Sequence, residues 1–315
     1  HRVDRRQRQM CIRDSLTATL MWSQQDVQYT QYMYNMSVIN PAYTTGTIGV
    51  YNLGALYRTQ WVGVVGAPTS SNLFFHTPIN EKVEIGLSYV NDNIGDIVKE
   101  NNIFADFAYR LDFENKGNLS FGLKVGASFF NMDFTGLNLE SGGMATDPNF
   151  AENISQANFN FGTGVYYNTE HYYVGLSIPY LLKSTHFISE NGQYQNIQQP
   201  HLYLTTAYVF DLNKNLKLKP GLMAKAVEGA PISLDLTANI LFQNRLELGI
   251  GYRLDDAVMG LINFGITPEL RIGYAYDYTI SNLDDFSSGS HEFFILYNLD
   301  SFNINKGFDK SPRFF

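Results

Sequence analysis

From Thr47 onward, apolar and polar positions alternate with a period of two, which is how a strand with two different faces reads in sequence. In "ISLDLTANILF", Ile232, Leu234, Leu236, Ala238, Ile240 and Phe242 share one face, and Ser233, Asp235, Thr237 and Asn239 share the other. "NLSFGLKVGASFF" sets Leu119, Phe121, Leu123, Val125, Ala127 and Phe129 against Ser120, Gly122, Lys124, Gly126 and Ser128. "RLELGIGYRL" and "ELRIGYAYDY" repeat the pattern. About fourteen such segments are predicted, near 47–57, 70–78, 83–91, 100–112, 118–131, 157–168, 171–178, 201–212, 216–227, 231–242, 245–254, 257–266, 269–279 and 289–299. Each approaches the roughly 9–11 residues that a tilted strand needs to cross a bilayer.

The connections sort by parity. Those after even-numbered segments are short: "INEK", "ENKG", "NTE", "NKN", "QN" and "TP". Those after odd-numbered segments include the long ones, around 58–69, 92–99, 132–156, 179–200 and 280–288. A sandwich gives no reason for such sorting, whereas an outer-membrane barrel does. The expected fold is therefore all-β, an antiparallel transmembrane β-barrel of about 14 strands over 47–299. An even count returns both strand ends to one side, so both termini are expected to be periplasmic. Backbone groups have no water to bond in hydrocarbon, so the sheet has to close. Lys124, Asp235, Arg245, Glu247, Arg253, Glu269 and Arg271 are expected to face the lumen or a plug. Tyr208, Tyr252, Tyr274, Tyr276 and Tyr278 suit an interfacial aromatic belt.

Composition agrees. The 315 residues are 44% apolar, 17% charged and 15% aromatic, with Tyr 21 and Phe 23 against Trp 2. No uncharged apolar run reaches the length of a membrane helix, so lipid contact rests on strands. The net charge is −8, and the five arginines of residues 1–23 make the remainder more acidic still, which argues against a nucleic-acid partner. The single cysteine, Cys11, leaves nothing for disulfides or thiolate metal sites after Gln24. His76, His171, His186, His201 and His291 are scattered without metal-ligand spacing. No G-x-S-x-G elbow or other nucleophile-base pattern appears, so neither catalytic residues, nor a metal, nor a cofactor is expected, and the protein reads as no enzyme.

The two ends of the chain break the alternation. Residues 1–23 read as a non-native or truncated signal segment: "SLTATLMWSQQ" is similar to the end of a signal peptide, and "HRVDRRQRQMCIRD" is unlike the start of one. Residues 24–46 form an aromatic leader without a simple period, read as a plug or a strap. Residues 300–315 form a short periplasmic tail whose Phe308, Phe314 and Phe315 are too apolar for a fraying end.

The leader and the tail also carry a resemblance. "QQDVQYTQYMYNMSVINPAY" resembles the amino-terminal signature of the PorP/SprF family of the type IX secretion and gliding system. The match runs through Gln28, Tyr29, Thr30, Gln31, Tyr32, Met33, Tyr34 and Asn35, then Asn40, Pro41, Ala42 and Tyr43. The terminal Ser311, Pro312, Arg313, Phe314 and Phe315 are similar to the family's S-P-R-[YF]-F ending. The resemblance implies a non-enzymatic barrel in contact with the outer-membrane lipid of a Bacteroidota-type cell. Its implied partners are a secreted adhesin with a type IX C-terminal sorting domain and the periplasmic secretion and gliding machinery. The matched leader and tail residues are then candidates for partner binding or for plugging the barrel. An outer-membrane porin or small-solute channel is the alternative reading.

Overall fold

The structure is a computed structural model that describes residues 27–44, 49–95, 97–113, 117–134, 153–188, 195–281 and 286–300. The alternating segments form strands β1 (Val50–Thr59), β2 (Pro68–Pro78), β3 (Val83–Ile94), β4 (Val98–Phe113), β5 (Gly117–Met132), β6 (Ile154–Asn168) and β7 (Tyr172–Ile178). A small separate hairpin follows, β8 (Ser184–Ile188) with β9 (Gln195–Gln198). The sheet resumes with β10 (His201–Tyr208), β11 (Phe210–Asn213), β12 (Leu216–Val227), β13 (Ser233–Phe242), β14 (Leu246–Arg253), β15 (Ala257–Gly265), β16 (Leu270–Thr279) and β17 (Ser290–Asp300).

Neighbouring strands of the sheet pair antiparallel, β7 pairing with β10 past the separate hairpin, and β1 pairs with β17 from Val50↔Asp300 to Thr59↔His291. That seam closes the cylinder and removes the sheet edges that hydrocarbon would not tolerate. The strands β10 and β11 form one interrupted stave, so the closed barrel has 14 strands. The ladder to β12 is broken between Ala207↔Gly221 and Phe210↔Leu218. Pro220 lies in that interval and has no N–H to donate, which accounts for the break.

The strand ends joined through 79–82, 114–116, 169–171, 214–215, 243–245 and 266–269 lie at one end of the cylinder, and those joined through 60–67, 133–153, 179–200 and 280–289 lie at the other. The expected loop at 92–99 is much tighter than the sequence suggested. Strands β3 and β4 run on to Ile94 and from Val98, and Gly95 turns the chain at φ 62°. The wall is uneven in height. Strands β4 and β5 have 16 residues each and β14 has 8, a difference of roughly 25 Å along the strand.

The two faces differ as the alternation demands. Leu123, Val125 and Ile250 on the outer face are 61%, 61% and 69% exposed, the condition of side chains that meet lipid. Lys124, Asp235, Glu247, Arg253 and Arg271 are buried inside. Arg245 and Glu269 depart from the lumenal expectation because they sit in the connections at the short-turn end. There Arg245 lies over the Phe264 ring at 4.7 Å and donates to the Gly265 carbonyl. The hydrophobic core lies inside the cylinder, where Tyr29, Tyr32, Met36, Val38, Ile39 and Ala42 pack against inward residues such as Phe74, Tyr166, Tyr203 and Phe294.

Candidate functional site

The candidate site is the lumen and the leader that fills it. The leader folds locally because its residues allow only short elements: a 3-10 turn at Tyr32–Tyr34, then a single helical turn, α1 (Met36–Ile39). Helix α1 ends at Asn40, which is extended (φ −131°, ψ 109°), as a residue before proline prefers. The Asn40 carboxamide then serves two partners: its Oδ1 accepts from the Ala42 N–H at 2.9 Å, and its Nδ2 donates to the Val165 carbonyl at 3.1 Å.

A floor of glycines receives this Asn-Pro-Ala turn. A Cβ on Gly122 of β5 would overlap the Pro41–Ala42 peptide, and one on Gly164 of β6 would overlap the Asn40 carboxamide. On β7, a Cβ at Gly175 would come within 2.9 Å of the Asn40 Nδ2. These three positions let the leader lie directly on the inner wall. Neighbouring contacts fix it further. Ser177 Oγ donates to the Ile39 carbonyl at 2.9 Å, and Lys124, paired with Asp106 at 2.7 Å, reaches the Ser37 carbonyl at 3.3 Å.

At the other end of the leader a charged cluster takes over. The Thr30 and Gln31 backbone N–H groups donate to the two Glu292 oxygens at 2.8 and 2.7 Å. The Thr30 hydroxyl donates to Asp277 at 2.7 Å. Arg58 pairs with Asp277 at 2.7 Å and Glu292 at 3.1 Å, and it also donates to Thr30 Oγ1 at 2.9 Å. Arg253 pairs with Asp235 at 2.8 Å and lies 3.6 Å from Asp277. Charge-assisted hydrogen bonds of this kind are the strong ones, and here they tie the leader to strands β1, β16 and β17. Between the two anchors, Tyr34 stacks on Phe294 with centroids 4.5 Å apart, and Lys219 lies 5.9 Å from the Tyr34 ring. Tyr43 meets Tyr166 and His76 edge-on at 5.5 and 5.8 Å.

The leader runs the height of the lumen. Gln28 reaches Ser233 at 3.5 Å, beside the 228–232 connection of the long-loop end. Thr44 meets Ser120 at 3.1 Å, near the short-turn end where β1 begins. The even strand number does bring the start of β1 and the end of β17 to the short-turn end. The leader, however, carries Val27 back to the long-loop mouth, so the two ends of the described chain lie on opposite sides.

Of the sequence-singled residues, Tyr29, Gln31, Tyr32, Asn35, Asn40 and Pro41 are buried in the lumen, and Gln28, Met33, Tyr34 and Tyr43 are half-buried there. Ser311, Pro312, Arg313, Phe314 and Phe315 lie outside the described residues. Sequence reasoning missed Arg58, Asp106 and Glu292. The available signal was a charge at an inward parity position, between outward apolar neighbours such as Tyr57, Phe107 and Phe293. Among the described residues, no three or more His, Cys, Asp or Glu side chains converge as a metal site.

The barrel has solved counterparts. CymD, a monoaromatic hydrocarbon channel, aligns with a TM-score of 0.54 at 11% identity, over 84% of this chain and 92% of that one. TbuX, a toluene transporter of Ralstonia pickettii, aligns with a TM-score of 0.51 at 10% identity, over 84% and 93%. At such identity they share the fold alone. No curated protein matches the chain. A family model described as type IX secretion system membrane protein PorP/SprF matches residues 22–297, and the chain therefore belongs to the PorP/SprF family.

Proposed function

We propose that this protein is a non-enzymatic, self-plugged outer-membrane barrel that supports type IX secretion and holds secreted adhesins or gliding-associated cargo at the surface of a Bacteroidota-type cell. Family membership supports the secretion role. The observation that carries the choice against a solute channel is the leader, which fills the lumen with buried aromatic side chains and is bonded to the wall at both ends. In this reading the short turns face the periplasm and the long loops face outward, the usual arrangement of such barrels. The carboxyl-terminal tail is then periplasmic, available to the secretion machinery, and Val27 stands at the outer mouth.

Planar-bilayer recording of the intact protein is expected to give no stable porin-sized steps. Regular open-channel conductance would favour the solute-channel reading instead. Pull-down of the intact protein from native outer membrane is expected to recover an adhesin bearing a type IX sorting domain. Deleting residues 306–315 is expected to leave the barrel heat-modifiable on gels while abolishing cargo display. Surviving display would remove the tail from the docking role.

A further inference from the structure

We propose that the long-loop end of β6, Ile154–Phe159, takes up an extended, uncharged segment of a partner protein as an added β-strand. On its β5 side this stretch is fully paired, from Met132↔Ile154 onward without a bulge. On its other side the ladder with β7 begins only at Thr163↔Ile178. The chain leaving β7 then closes the edge at one level. The Leu181 N–H donates to the Phe161 carbonyl at 2.8 Å, and Leu182 exchanges two hydrogen bonds with the Asn160 carboxamide at 2.9 and 3.0 Å. Among the described strands, the β8–β9 hairpin that follows pairs only with itself.

Three features select the occupant. The first is the backbone. In an antiparallel ladder each residue turns its N–H and C=O toward one neighbour, and successive residues alternate. The Phe161 carbonyl turns toward β7, so Phe159, Ala157 and Ser155 turn their N–H and C=O groups to the open side. A row of donors and acceptors at strand spacing is what a visiting strand pairs with. Second, the edge lacks the usual protections against such pairing, which are charge, proline and bulges. Ile154–Phe159 contains no charged residue and no proline, and its register is unbroken. The short β11, by contrast, carries Asp211 and a bulge beside it. Third, Gln156 and Ala157 point to opposite faces and both are exposed, so neither face of the edge is covered. Phe159 is 80% exposed at the apolar level of the outer wall, whereas Ser155, nearer the mouth, donates to Asn131 at 2.8 Å. On the inner face the Asn158 Nδ2 has no hydrogen-bond partner among the described residues. The fitting segment thus has an apolar residue beside Phe159 and hydroxyl or amide side chains toward the mouth. A second copy fits less well, because two barrels standing in one membrane run β6 in the same sense and would join by the weaker parallel pattern.

The exterior placement of the partner rests on the orientation proposed above; the open edge does not. The test uses the full chain in lipid nanodiscs and a fluorescein-labelled Val-Thr-Val-Thr-Asn-Thr amide, read by anisotropy. The same peptide N-methylated at every residue keeps its side chains and loses its backbone donors. The plain peptide is expected to bind, and the N-methylated one at least about tenfold more weakly. Ala157→Pro removes an open-side donor and no bond of the barrel, so it is expected to weaken the plain peptide about tenfold at an unchanged melting temperature. Should that variant unfold, the peptide pair still decides on the unaltered protein. Equal binding of the two peptides, no binding of either, or full binding to a folded Ala157→Pro barrel would overturn the proposal. Disulfide-linked dimers of Ala157→Cys in native membrane that block the peptide would assign the edge to a second copy and overturn it as well. Orientation is read separately by impermeant maleimide on intact cells. Labelling of Val65→Cys in the 60–67 connection fits long loops outside, whereas labelling of Lys82→Cys instead would invert the barrel without touching the peptide result.

Discussion

Gly122 is where one methyl group is expected to matter most, because an added Cβ would meet the leader's backbone and not a side chain able to swing away. Overpacking of this kind costs about 1–3 kcal/mol. Gly122→Ala should lower the temperature of the folded-to-unfolded gel shift, and Gly260→Ala, with nothing within 4 Å of the new Cβ, should not. Glu292 is the second sensitive position. It is fully buried, accepts both leader N–H groups and pairs with Arg58. Glu292→Ala removes one partner of a buried pair, a change that costs about 3–5 kcal/mol. Urea titration should show that loss, and adding Arg58→Leu should deepen it, because buried Asp277 then loses its 2.7 Å partner. At this scale the sequence was informative about direction and silent about partners. Parity placed Lys124, Asp235, Glu247, Arg253 and Arg271 inside, but it also placed Arg245 and Glu269 there, since alternation says nothing about where a strand gives way to a turn.

The elements divide in the same way. Strand existence was legible because lipid outside and protein inside impose opposite demands on successive residues. The interruption at Pro220 was legible in principle, since a proline within an alternating run marks a missing ladder bond. The leader had no period to read. Its turns are short, and its partners are scattered over β1, β5, β6, β7, β16 and β17, so its path depends on contacts far apart in sequence. Removing residues 27–44 is therefore an experiment on the element as a whole. Bilayer recordings of that deletion are expected to show conductance that the intact protein lacks. A deletion that folds and still seals would mean that something other than the leader closes the pore.

For the whole molecule, closure through β1 and β17 follows from the even count and the need to leave no edge, and the sequence showed both. It did not show that the wall is uneven in height, or that the leader returns Val27 to the long-loop mouth. The filled cylinder also constrains how it is made. A leader seated with less than a methyl group of clearance over Gly122, and fastened to Glu292, has no room to slide lengthwise through a finished hoop. In the intact chain the ribbon is better wound about it, as a sheet is rolled around a mandrel, with the first stave stitched to the last once the mandrel is in place.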